Sequence, residues 1–117
     1  MFMIKIQNKT LNMTIVQGDT GTFTIGIKNH KLTEGDIINF SVKQNLNPST
    51  PYSIKKTISS FTEEGKAEII ISPEDTIKLN LGTYYYDIEW TTNEKDINTI
   101  VPCGFAEFEI IPGVTNV

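Results

Sequence analysis

Side chains with reactive chemistry are few in this chain, and they are scattered. His30 is the only histidine and Cys103 the only cysteine. His30 sits in the polar stretch "KNHKLTEGD", where a lone histidine is expected to be solvated. A zinc set needs several Cys or His ligands, and these two residues do not make one. Cys103 lies between Pro102 and Gly104 with no sequence sign of a base nearby. A cysteine nucleophile needs a lowered thiol pKa and a partner histidine. One cysteine also leaves no intrachain disulfide.

Paired carboxylates occur at Glu63-Glu64 and Glu74-Asp75. Acid–base work on a glycoside needs two carboxyls facing across a cleft, and adjacency in a turn does not supply that. Asp19, Glu34, Asp36 and Asp75 would serve calcium only if their loops met, and no D-x-D-x-D-G spacing is present. Gly18-x-x-Gly21 lacks the Lys-Ser/Thr of a phosphate loop and leads into a strand pattern. We therefore expect no catalytic, cofactor or metal residues.

Three consecutive tyrosines, Tyr84 to Tyr86, follow Leu81-Gly82. A Leu-Gly-x-Tyr crossover suits the tyrosine corner of Greek-key sandwiches, whose hydroxyl turns back to the preceding loop. Tyr84 is expected in that role behind Gly82, with Tyr86 in the core and Tyr85 partly exposed. Trp90 falls on the inward face with Tyr84, Tyr86 and Ile88. The alternative is an aromatic platform built from Tyr85 and an outward-facing Phe105.

The elements that would hold these residues follow from a period of two. Phe23-Ile25-Ile27, Ile38-Phe40-Val42, Ala67-Ile69-Ile71, Tyr84-Tyr86-Ile88-Trp90 and Ala106-Phe108-Ile110 each alternate with mainly polar residues. Such alternation puts one face in a core and one in water, as in antiparallel sheets. Gly-, Pro- and Asn-rich turn signals separate the runs at intervals of about ten residues, which suits a sandwich. Strands are expected over 2–7, 11–16, 22–28, 36–44, 52–59, 66–72, 83–92, 97–101 and 104–111. Ser72-Pro73-Glu74-Asp75 has a cap, an N1 proline and first-turn acids, so a short helical turn is expected near 73–78.

At 117 residues the chain suits one domain, with 1–10 as a terminal strand or arm and 112–117 as a tail. The net charge is −4, and the closest basic cluster is Lys55-Lys56, which argues against a nucleic-acid partner. No apolar run approaches the roughly 18 residues of a membrane span. Lys5 breaks the apolar start too early for a signal peptide, so a cytoplasmic origin is expected.

Gly18-Asp19-Thr20, Phe23, "LTEGD" and "INFSVK" resemble the opening of phage baseplate upper protein N-terminal modules. "PEDTIKL", then Gly82-x-Tyr84-x-Tyr86-Asp87-Ile88, then Thr99, Gly104 and Val114-Thr115, are similar to the rest of that pattern. The resemblance spans about residues 15 to 115. It implies an immunoglobulin-like antiparallel β-sandwich in tailed phages or prophages of Gram-positive bacteria, holding tail-tip or baseplate components without catalysis. Family members continue into a helical, receptor-facing region, which this sequence does not contain.

The expectation is thus a non-enzymatic structural or docking module, found in the virion or in the bacterial cytoplasm before assembly. Its partners would be other phage structural proteins, with a homo-oligomer through sheet edges as a further option, and neither nucleic acid nor membrane. Tyr85 and Phe105 are the contact candidates. A carbohydrate-binding or adhesion module is the alternative, and would show three exposed aromatics on one face. A small enzyme would need a pocket bringing His30 or Cys103 beside an acid.

Overall fold

The computed structural model describes residues 5–6, 11–101 and 104–113. Among these residues nine strands and one short helix follow in order: β1 (Lys5–Ile6), β2 (Met13–Val16), β3 (Gly21–Ile25), β4 (Ile37–Lys43), β5 (Ile54–Ile58), β6 (Ala67–Ile71), α1 (Pro73–Thr76), β7 (Gly82–Thr91), β8 (Ile97–Thr99) and β9 (Ala106–Ile111). The fold is all-β. Among the described residues no helix is long and apolar enough to cross a membrane.

The alternating runs become strands because each apolar set lands on one side of a pleat. The larger sheet has the order β1-β2-β9-β7-β4-β5, and β8 pairs with the far end of β7. The smaller sheet is β3 against β6. Inward residues of both sheets form one hydrophobic cluster. Phe23 of β3 meets Phe40 of β4 edge to face at 5.3 Å between centroids. Phe40 also neighbours Tyr86 at 5.6 Å and Phe108 at 6.1 Å, which joins β4, β7 and β9 across the layer. Met13, Ile15, Leu32 and Val101 are buried there too.

One pairing departs from the expected antiparallel arrangement. β2 runs parallel to β9, in register from Met13↔Phe108 to Val16↔Ile111. A parallel pair cannot be closed by a hairpin. Here the two strands lie at opposite ends of the chain, and the intervening fold is the crossover. Expected strand ends also retreat where the flanking residues turn: β5 starts at Ile54 instead of 52, and β8 stops at Thr99 instead of 101.

α1 covers 73–76, shorter than the 73–78 expected. The Asp75 carboxylate accepts the Ser72 amide at 2.7 Å and pairs with Lys56 of β5 at 2.7 Å. Thr76 is fully buried, and its hydroxyl accepts the Gly18 amide at 2.9 Å. Gln17 donates to the Leu79 carbonyl at 2.8 Å. This helical turn therefore fastens the β2–β3 turn to the chain entering β7.

Candidate functional site

Two groups of chemically capable side chains emerge from the folded chain. The first surrounds Asp36. Extending the alternation of Ile38, Phe40 and Val42 back one step puts Asp36 on the inward face, and it is only 2% exposed. Gly35 precedes it with φ +98, a left-handed conformation that favours glycine. Asp36 Oδ2 accepts the Thr33 amide at 3.0 Å and lies 3.0 Å from His30 Nε2. Its Oδ1 accepts the Trp90 indole N–H at 3.2 Å. Burial alone would raise the Asp36 pKa, but the Thr33, His30 and Trp90 donors and the His30 charge together hold it below the ordinary value.

His30 is thus not a merely solvated loop residue. Its ring also lies against Trp90, 4.7 Å between centroids. Trp90 in turn is half-buried at the rim of the core and not fully enclosed, with its indole nitrogen turned to the carboxylate. Parity with Ile38 puts Asp36 inward from sequence alone, and its place diagonally beside Trp90 comes from the register, in which Ile38 lies opposite Trp90. An acid–histidine pair is two parts of a nucleophile-activating set. Among the described residues no hydroxyl or thiol hydrogen-bonds His30. Cys103 and the neighbouring Pro102 lie outside the described residues. The acids expected as calcium candidates do not gather: Asp36 is held by Thr33, His30 and Trp90, Asp75 by Ser72 and Lys56, and the described residues contain no cluster of three or more metal-ligating acids, histidines or cysteines.

The second group lies on the outer face of the larger sheet. β7 residues of the opposite parity point outward, so Tyr85, Asp87 and Glu89 form a row. Across the ladder they face Lys43, Ser41 and Asn39 of β4. Phe105, just before β9, is 41% exposed and meets Tyr85 edge to face, 5.9 Å between centroids and 83° between planes. Tyr52, just before β5, is also exposed. Its ring carries two cations, Lys43 Nζ at 5.0 Å and Lys55 Nζ at 4.5 Å from the centroid. Between these walls is an open cleft of about 210 Å³.

Tyr52 was not among the expected contact residues. Its parity with Ile54 points it inward, but β5 begins only at Ile54, and the loop carries Tyr52 round to the outer face. Asp87 is half-buried in the cleft, and its Oδ1 is shielded from solvent with no hydrogen-bond partner among the described residues. Burial, and then the Glu89 charge, push its pKa up, and the Ile88 amide offsets this only in part.

The inward tyrosines hold the scaffold. The Tyr84 hydroxyl donates to the Asn80 carbonyl at 2.9 Å, back across the turn that opens β7. Gly82 at that turn has φ +135, a backbone conformation that suits only glycine. The Tyr86 hydroxyl donates to the Leu11 carbonyl, tying the entry of β2 to the centre of the sheet.

No protein-family model matches the chain, and no curated protein matches it.

Proposed function

We infer that this chain is a non-enzymatic docking module of a phage or prophage particle, built on an immunoglobulin-like sandwich. The observation that carries the docking reading is the outer-face cleft, where Tyr85, Phe105 and Tyr52 surround an under-coordinated carboxylate. Concave, partly apolar sites with a few convergent polar groups are where proteins bind ligands and partners. The strand order β2-β9-β7-β4-β5 facing β3-β6, with a tyrosine corner at the start of β7, supports the immunoglobulin-like reading. The placement in a tail or baseplate draws on the resemblance carried by "LTEGD", "INFSVK" and "PEDTIKL". The Asp36–His30 pair supports a structural role more than catalysis, since both Asp36 oxygens are occupied in closing a loop onto Trp90.

A carbohydrate-binding module is the second reading, favoured by the three aromatics around one cleft. Ring geometry weighs against it. Sugars stack on flat, open ring faces, whereas Tyr85 and Phe105 stand at 83° and the Tyr52 ring already carries two lysines.

The test is the mass of the purified protein, alone and mixed with each tail or baseplate protein encoded beside it, by size-exclusion chromatography with light scattering. A complex of fixed stoichiometry is expected. A chain that stays monomeric and ignores every one of them contradicts the docking reading.

A further inference from the structure

We propose that the outer-face cleft receives the guanidinium group of an arginine side chain from a protein partner. This rests on the docking reading above and names the chemistry of its contact. Three features point to that occupant. Asp87 Oδ1 has no hydrogen-bond partner among the described residues, so this carboxylate keeps an acceptor for an incoming donor. Glu89 lies two residues along on the same face and adds a second negative charge beside Asp87, which favours a cationic donor there. The Tyr85 and Phe105 rings, nearly perpendicular at 5.9 Å, wall the same cleft as Asp87 and Glu89. A guanidinium packs its weakly hydrated plane against aromatic walls while its N–H groups reach a carboxylate.

The same surface already uses this chemistry at its other end, where Lys43 and Lys55 sit over the Tyr52 ring. Lys43 does not satisfy Asp87: its ammonium donates to the Pro48 carbonyl at 3.2 Å. Arginine fits better than a second lysine because its planar fork engages a carboxylate through two parallel bonds, whereas an ammonium is a point charge.

The experiment is a titration of the isotopically labelled full chain, followed by amide chemical shifts. Its probes are a capped Gly-Arg-Gly peptide, its neutral Gly-citrulline-Gly isostere and a linear oligosaccharide. The arginine peptide is expected to shift the amides of Tyr85, Asp87, Glu89 and Phe105 saturably, and less so as salt is raised. The citrulline peptide should leave them in place. Asp87→Asn keeps the side-chain shape and should weaken arginine binding about tenfold or more. Tyr85→Ala should weaken it as well, and the spread of amide shifts verifies that each variant is folded. Equal shifts from the citrulline peptide, indifference to Asp87→Asn, or saturation by the oligosaccharide where the arginine peptide fails would each overturn the proposal. The same variants separate the two readings. A tail protein that binds wild type and Asp87→Asn equally sinks the arginine contact and leaves docking standing. Arginine-peptide binding without any tail-protein complex supports the contact and sinks docking.

Discussion

Replacing Asp36 by asparagine isolates the electrostatic role of the one fully buried carboxylate among the described residues. Asp36 serves three donors with two oxygens: Thr33 N–H and His30 on Oδ2, Trp90 N–H on Oδ1. An asparagine oxygen can replace only one of those two. With its oxygen toward Thr33 and His30, the amide NH2 faces the indole N–H and sets donor against donor. The variant thus loses one bond to a charged group, and the two that remain lose their charge assistance. A hydrogen bond to a charged group contributes about 1.5–3 kcal/mol, so the expected cost is about 3 kcal/mol. With a urea slope of about 1.5 kcal/mol per molar, the midpoint should fall by about 2 M. Trp90 is the sole tryptophan and touches the altered carboxylate, so its fluorescence reports both the local change and the unfolding. The pH dependence follows from the depressed pKa. A carboxylate that ionises more readily when folded stabilises the protein fully above its unfolded pKa of about 3.9, and that contribution disappears as pH falls through the lower folded value. Wild type and variant should therefore differ most near neutrality and converge in acid. A variant within about 0.5 kcal/mol of wild type at pH 7, or a gap that does not narrow in acid, refutes this account of Asp36.

Tyr84→Phe should cost about 1 kcal/mol in urea unfolding by removing the bond to Asn80, and a neutral result would mean that the corner bond adds nothing. Tyr86→Phe should cost more, about 1–3 kcal/mol, because it strips the donor from the Leu11 carbonyl at the entry of β2. Burial pushes the Tyr86 phenol up to about 12, so an ultraviolet titration should lose its last tyrosine ionisation in that variant. The stability held by neutral Tyr86 persists below the unfolded tyrosine value of about 10 and is lost as pH rises toward 12. Asp87 has the opposite sense from Asp36: its raised pKa makes the folded state favour the protonated acid, so stability falls as pH rises through the folded value. Asp87→Asn should accordingly raise the urea midpoint at pH 7 and leave it unchanged in acid, and a lowered midpoint would mean that the carboxylate has an ionic partner.

Alternation made most of the sandwich legible. Ile38, Phe40, Val42, Ile69, Tyr84 and Phe108 declare their face by parity, and all are buried. Parity does not report strand direction, so the parallel β2–β9 pair was hidden: direction is set by which distant segments meet, not by their local pattern. Leu32 and Val101 are core residues that lie in loops, where no period exists to flag them. Of the outer-face site, Tyr85 and Phe105 were readable as outward residues of their runs. Tyr52 was not, since its position depends on where the loop ends and β5 begins. Asp36 was readable by the parity that exposes Ile38, but its acidic, turn-like context "TEGD" argued for solvent. Only the partners on Thr33, His30 and Trp90 make its burial affordable in charge terms.

Site-specific cross-linking during particle assembly tests docking through the outer face most directly. A photoreactive phenylalanine analogue would replace Tyr85 in one variant and Ile70, an exposed residue of the smaller sheet, in another. A cross-link is expected from position 85 to one tail or baseplate protein, mapped to a segment containing arginine, and none from position 70. Particles that assemble with no adduct at position 85, or with the same adduct from both positions, would contradict it.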